Sequence, residues 1–185
     1  MARRKSSSAS EPTPGSLADL QAEADPSSVA RTVVLRRLNS APRTRKDLYD
    51  DLISRDIAPG VVDEVLDRFT EVGLINDAEY AQMFVASRQR SRGTARPVLR
   101  QELRRKGVQD DDIQDALDEI TDEQEYARAR ALVQAKLPAL ARYDSATRQR
   151  RLMGLLMRRG YRGGLAASVI REVTNAEIDI VIDES

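Results

Sequence analysis

The sequence contains neither cysteine nor histidine among its 185 residues. Without cysteine, no disulfide and no thiolate metal site can form. Without histidine, the commonest general base and the commonest zinc ligand are missing. Aromatic residues make up only 4% of the chain, so leucine, valine, isoleucine and alanine must build the core. No apolar run approaches the ~18 residues that suggest a transmembrane helix. We therefore expect a cytoplasmic protein that is not an enzyme and needs no cofactor.

Charge is abundant, but it is segregated along the chain. Lysine plus arginine and aspartate plus glutamate number 30 each, which gives a formal net charge of zero. Residues 45–80 carry a net −6, residues 87–107 a net +7, residues 108–125 a net −9 and residues 126–171 a net +10. Such blocks permit polyanion binding despite the neutral total. Neutralisation of the basic helices by the acidic ones within the fold explains the same pattern equally well.

Both ends of the chain differ in pattern from the middle. Residues 1–27 are rich in serine and proline and lack sustained periodicity, so they predict a disordered tail. The basic start of this segment has no apolar stretch behind it and is not a secretory signal. Residues 176–185 alternate acids with isoleucine and valine, which fits either a short strand or a frayed tail.

The stretch RPVLRQELRRKGV, residues 96–108, predicts an amphipathic helix. Leu99 and Leu103 are one helical turn apart and therefore share a buried face. Gly107 stands where a helix commonly ends in left-handed backbone. The other face of the helix carries a row of arginines.

This helix belongs to a repeated pattern. A shift of 51 residues aligns Leu48 with Leu99 and continues through three helices without a gap. A shift of 53 then aligns Leu99 with Leu152 over the second and third helices of another copy. The first helix of that copy matches at a shift of 46, with Tyr80 against Tyr126, which places an insertion near residues 137–144.

The sequence thus predicts an all-α fold of three tandem three-helix repeats that form an elongated, curved array. The predicted units span residues 28–75, 76–120 and 121–175, and each needs its neighbours to bury its apolar faces. An asymmetric row of repeats offers no obvious self-complementary patch, so we expect a monomer.

Acidic residues offer little support for catalysis. Asp110, Asp111, Asp112 and Asp115 could in principle hold Mg²⁺. The first three also lie at the predicted start of a helix, where carboxylates favour the positive end of the macrodipole. We favour the second interpretation, and the sequence contains no phosphate-binding or nucleophile motif.

The basic helices are the better candidate for a binding surface. Arginine presents a planar fork of donors that suits carboxylates and phosphates alike, so the partner could be an acidic protein or a nucleic acid. Cations in the last turn of a unit's second helix also have a structural explanation, because they can satisfy the free carbonyls at that helix end. The candidate residues are Arg88, Arg92, Arg96, Arg100, Arg104, Arg105, Lys106, Arg148, Arg151, Arg158 and Arg159.

Two motifs resemble a known family. GLINDAEYAQMFVASRQR at residues 73–90, followed by residues 96–108 and an acidic third helix, is similar to the RecX regulators of the bacterial recombinase RecA. The resemblance implies a modular all-α protein that binds the RecA–DNA filament. It also implies inhibition of ATP hydrolysis, strand exchange and LexA-type coprotease activity, in recombination, DNA repair and the SOS response.

Two other functions fit the residues. A stand-alone helical regulator would bind naked DNA, single- or double-stranded and without sequence preference, independently of RecA. A purely structural adaptor would bind neither. The sequence does not assign individual arginines to RecA or to DNA, and it leaves both end-capping and groove-binding inhibition open.

Overall fold

The computed structural model describes residues 25–183, with side chains for residues 25–175. Within that stretch the protein is all-helical, and its helices form three three-helix units, as predicted. The first unit contains α1 (Pro26–Ser40), α2 (Arg45–Ile53) and α3 (Pro59–Glu71). The second contains α4 (Asp77–Arg92), α5 (Arg96–Arg105) and α6 (Asp110–Asp118). The third contains α7 (Asp122–Lys136), a 3₁₀ turn (Pro138–Leu140), α8 (Ser145–Arg158) and α9 (Gly163–Asp183).

The two ends of the described region are helical. Helix α1 begins at Pro26, two residues before the predicted start of the first unit, and the Asp25 carboxylate accepts a hydrogen bond from the Ser27 N–H. The predicted disordered tail otherwise lies outside the described residues. Helix α9 continues to Asp183, so residues 176–183 form no strand. Residues 165–183 contain neither glycine nor proline, and extending an existing helix is easier than starting an unpaired strand.

Each unit has its own core, and the repeat predicted most of it correctly. In the second helices, Leu48, Leu99 and Leu152 are equivalent and buried, and one turn later so are three further leucines. The third helices, together with Ile120 just beyond the end of α6, add four apolar positions that are buried in all three units. Those positions are Val62, Ile113 and Ala166; Val65, Ala116 and Val169; Leu66, Leu117 and Ile170; Phe69, Ile120 and Val173.

The predicted register of the third unit's first helix is wrong. The buried pair of α4, Ala81 and Val85, is matched in α7 by Ala129 and Val133, which is a shift of 48 and not 46. Tyr126 is only partly buried and packs at the edge of the core. A fully buried pair spaced by one helical turn determines the register, whereas a single aromatic match does not.

The units meet where the start of one second helix contacts the end of the next. At the first junction the Thr44 hydroxyl donates a hydrogen bond to the Lys106 carbonyl at 2.8 Å. At the second junction the Ala95 N–H donates to the Arg159 carbonyl at 2.9 Å. Thr44 and Ala95 occupy equivalent positions in the repeat, as do Lys106 and Arg159, so the same carbonyl position accepts at both junctions, from a hydroxyl at the first and from a backbone N–H at the second.

A carboxylate of the following unit also caps each of these helices. The Arg45 N–H donates to Asp77 Oδ1 at 2.9 Å, and the Arg96 N–H donates to Glu125 Oε1 at 3.0 Å. The first N–H groups of a helix have no partner within it, so each cap supplies an acceptor that the helix lacks. Both acids lie near the start of the next unit's first helix. The caps therefore couple the start of each of these two helices to the presence of the following unit.

A residue two or three positions beyond the end of each second helix adopts left-handed backbone, with φ of 61° at Asp56, 77° at Gly107 and 89° at Gly160. A Cβ on Gly107 would lie 2.6 Å from the Cβ of Lys46, and one on Gly160 would lie 2.6 Å from Val98 Cγ2. Asp56 belongs to the first unit, which has no earlier helical unit of the described chain to pack against. Glycine is thus required where two units approach closely, in addition to the turn itself.

This geometry predicts that Gly107→Ala destabilises the protein more than Gly73→Ala does. Gly73 also has positive φ, at 74°, but an added Cβ there meets no atom within 4 Å. Gly73→Ala should cost about 1 kcal/mol of unfolding free energy from the backbone conformation alone. Gly107→Ala should add about 1–3 kcal/mol from overpacking against Lys46. Urea denaturation measures both, and equal losses would contradict the close approach at the junction.

Candidate interaction surface on the second and third units

Arg96, the first arginine of the row on α5, lies at the second junction and contacts the third unit. Its Nε and Nη2 atoms lie 3.0 and 2.8 Å from Glu125 Oε2, and Nη2 also contacts Asp122. Hydrogen bonds to Asp122 and Glu125 raise the pKa of the Arg96 guanidinium. The Glu125 side chain is only 12% exposed, so Arg96 offsets the cost of burying this carboxylate. Arg96 therefore has a structural role, which the sequence analysis did not identify.

Arg100 and Arg104 continue the row on α5 and have weaker partners within the second unit. Arg100 donates to the Gln114 side chain at 2.6 Å. Arg104 pairs with Asp110 at 2.7 Å, and both side chains are more than half exposed. This pairing raises the pKa of Arg104 and lowers that of Asp110. Exposed pairs of this kind contribute little to stability, so both guanidiniums remain accessible to a partner.

Two further candidates contact neighbouring elements. Arg88 pairs with Glu102 at 2.9 Å and lies over the Phe84 ring at 4.9 Å. Lys106 pairs with Asp47 of the first unit at 2.8 Å, and this hydrogen bond raises the pKa of Lys106. Lys106 thus contributes to the first junction through both its carbonyl and its side chain.

The candidates on α8 do not form one cluster. Arg148 is half-buried and lines a groove with Arg171. Arg151 lies over the Tyr143 ring at 4.1 Å. Arg158 is exposed at the end of α8, at the position equivalent to Arg105, which is exposed at the end of α5.

Arg92 and Arg159 are brought together at the second junction, although 67 positions separate them in the sequence. They line a groove of about 290 Å³ with Arg90 and Arg128, which the sequence analysis did not select. We call this the junction groove. Tyr161 supports its wall by donating from its hydroxyl to the Gly93 carbonyl at 2.9 Å. Burial, followed by the nearby Glu125 charge, raises the pKa of Tyr161 to about 12, so the hydroxyl stays a donor.

A second groove at this junction has mixed charge. It has a volume of about 970 Å³ and is lined by Arg96, Arg100 and Arg162 together with Asp118, Asp122 and Glu125. Three cations and three carboxylates therefore offset one another there. The junction groove, in contrast, is lined by four arginines and, as far as the described residues go, by no acidic one.

The acidic run at the start of α6 has the helix-terminal position expected from the sequence. Asp110, Asp111 and Asp112 form the first turn of α6, and Asp110 pairs with Arg104. Among the described residues, no group of three or more acidic side chains is arranged to hold a metal ion. No helix in the described region is long and apolar enough to span a membrane.

Three-helix units, repeated junctions and an arginine-rich surface define a class of modular helical protein, and comparison with known families identifies which one. Models of the first, second and third three-helix domains of RecX match residues 30–69, 76–117 and 122–170. The chain belongs to the RecX family. The stated resemblance is therefore confirmed.

Relatives and solved structures agree with this assignment. Regulatory protein RecX of Thermobifida fusca is 47% identical over 148 residues, which cover 80% of each chain. Regulatory protein RecX of Mycolicibacterium smegmatis is 40% identical over 146 residues, covering 76% of this chain and 77% of the relative. The crystal structure of RecX from Lactobacillus salivarius has a TM-score of 0.73 and 25% identity, and it covers 82% of this chain and 99% of that one.

The contacts of Arg96 and Arg104 predict that substituting Arg96 destabilises the protein more than substituting Arg104. Arg96→Gln leaves the Glu125 carboxylate partly buried without its cation, and we expect a loss of about 2 kcal/mol of unfolding free energy. The matched variant Arg104→Gln removes only an exposed pair, so its denaturation midpoint should not change measurably. Chemical denaturation at neutral pH tests both variants. A stable Arg96→Gln protein would show that the second junction does not need this ion pair.

Proposed function

We propose that this protein is a negative regulator of RecA that binds the RecA–DNA filament. Binding would inhibit the ATPase, strand-exchange and coprotease activities of the filament, in the cytoplasm and with the regulator as a monomer. Membership of the RecX family and the name of its relatives, regulatory protein RecX, support a regulatory role. The proposal extends that role to a specific partner and effect.

The observation that carries the proposal is the placement of charge on the units. The region from residue 87 to 107 and the third unit are strongly basic, whereas residues 45–80 are acidic. Arg100, Arg104 and Arg105 lie on one helix and are at least partly exposed. A filament of protein and DNA offers both carboxylates and phosphates to such a surface.

The repeated junctions favour a partner with many equivalent sites. Carboxylate caps and close glycine contacts hold adjacent units against each other. Several weak contacts on one scaffold act together, because the first contact raises the effective concentration of the next. A filament, which repeats the same protomer along its length, fits this mode of binding. A regulator of this kind needs no catalytic residue of its own.

The proposal predicts that the purified protein inhibits the single-strand DNA-dependent ATPase of RecA at substoichiometric amounts. The triple charge reversal Arg100→Glu, Arg104→Glu and Arg105→Glu should weaken inhibition at least tenfold, because it replaces attraction by repulsion. The control variant Arg31→Glu, Arg36→Glu and Arg68→Glu changes the net charge equally on exposed positions of the first unit, and it should inhibit normally.

Circular dichroism should show the same helical content in both variants. Equal inhibition by the two would exclude the basic face of α5 as the contact surface.

A stand-alone DNA-binding regulator is the second candidate, and the same arginines support it. It predicts tight binding to naked DNA that does not depend on RecA. Filter binding with and without RecA, over a series of salt concentrations, distinguishes the two functions.

A further inference from the structure

The junction groove is a strongly cationic concavity. Arg90 and Arg92 come from the last turn of α4, Arg128 from α7 and Arg159 from the end of α8. Among the described residues, none of the four takes part in an ion pair within 4.0 Å, whereas Arg96 and Arg104 do. Four arginines that form no ion pair with a described carboxylate therefore line the groove.

Two helix ends near the groove account for only part of this charge. Helices α4 and α8 both direct their carboxyl ends toward it, and each end carries roughly half a negative charge. Two ends therefore offset about one of the four positive charges. Arg128 lies in the interior of α7, where no helix end explains its charge. The two helix ends therefore leave most of the positive charge that lines this groove of about 290 Å³ without a structural explanation.

The hydrogen-bonding character of the groove distinguishes between possible anions. Guanidinium groups only donate, and the Gly93 and Arg159 carbonyls already accept from Tyr161 and Ala95. An extended acidic peptide would bring its own N–H donors, for which the groove offers few acceptors. A sugar–phosphate backbone presents acceptors at its phosphate and sugar oxygens and so matches a wall of donors.

The remaining lining also suits a nucleic-acid backbone. Ala131, Leu132 and Ala135 form an apolar side against which sugars can pack. Among the side chains that the structure describes, none that lines the groove is aromatic, so these residues offer bases no stacking platform. Contacts would therefore be made to the backbone and would not depend on base sequence.

We propose that the junction groove binds the phosphodiester backbone of single-stranded DNA through Arg90, Arg92, Arg128 and Arg159. This inference deepens the proposed function and rests on it for the biological setting. The site requires both units, since Arg90 and Arg92 belong to the second and Arg128 and Arg159 to the third. The Arg96–Glu125 contact holds these units together and positions the site without touching the DNA.

The test measures binding of the whole 185-residue chain to a fluorescein-labelled oligothymidylate in the absence of RecA. Fluorescence anisotropy gives the affinity over a series of KCl concentrations. The variant Arg92→Gln with Arg128→Gln should bind about tenfold more weakly, the equivalent of about 1.4 kcal/mol. Its slope of log K against log[salt] should be shallower by about 1.4, or ~0.7 for each lost phosphate contact.

The control variant Arg31→Gln with Arg36→Gln removes the same charge from exposed positions of α1 and should bind like wild type. Thermal melts should show that all three proteins are folded. Wild-type affinity and slope in the groove variant would overturn the proposal, as would an equal loss in the control. Tighter, Arg128-dependent binding to polyglutamate than to DNA would overturn it in favour of an acidic protein.

The RecA ATPase assay on the same variants separates this inference from the proposed function. A groove variant that loses DNA affinity but inhibits RecA normally supports the groove as a DNA site and leaves the proposed function intact. A wild-type protein that binds DNA through the groove but does not inhibit RecA would overturn the proposed function alone.

Discussion

The structure depends on the junction between consecutive second helices. At each junction the backbone N–H of an arginine at the start of one second helix donates to a carboxylate of the following unit. A backbone carbonyl at the end of the following unit's second helix accepts a hydrogen bond in return. These hydrogen bonds satisfy backbone N–H and C=O groups at helix ends that have no partner within their own helix. Glycines at 107 and 160 permit the close approach, since a Cβ at either position would overlap the preceding unit. The order and the spacing of the units follow from these contacts.

The junctions also explain how a chain with no net charge presents strongly basic regions. Part of the acidic content is used within the fold, as Asp47, Asp122 and Glu125 show by pairing with cations across the junctions. Other arginines form no ion pair within the part of the chain that the structure describes, and four of these line the junction groove. Neutralisation and exposed cationic surface, which the sequence left as alternatives, therefore occur side by side at one interface.

The helices and cores could be predicted from the sequence because they depend on local spacing. Leucines one turn apart define the buried face of each second helix, and the repeat multiplies that signal. Alignment of Tyr80 with Tyr126 gave a wrong register, because half-buried side chains at a core edge tolerate displacement. The Ala81–Val85 and Ala129–Val133 pairs would have corrected it.

The partners of the arginines could not be predicted in the same way. Arg96 meets Glu125 only because two units pack together, and nothing in its own helix distinguishes it from Arg100. Arg128 was missed because it belongs to a helix of mixed charge, and only the fold places it beside Arg92. The equivalent positions Asp56, Gly107 and Gly160 did contain a signal, since glycine occupies this position in the two units whose second helix packs against a preceding unit.

A double-mutant cycle on Arg96 and Glu125 tests the importance of the junction most directly. The free energy of unfolding is measured for wild type, Arg96→Gln, Glu125→Gln and the double variant. We predict a coupling energy of about 1–2 kcal/mol, as expected for contacting residues in one hydrogen-bonded network. Additive losses within about 0.3 kcal/mol would contradict the conclusion that this ion pair joins the second and third units.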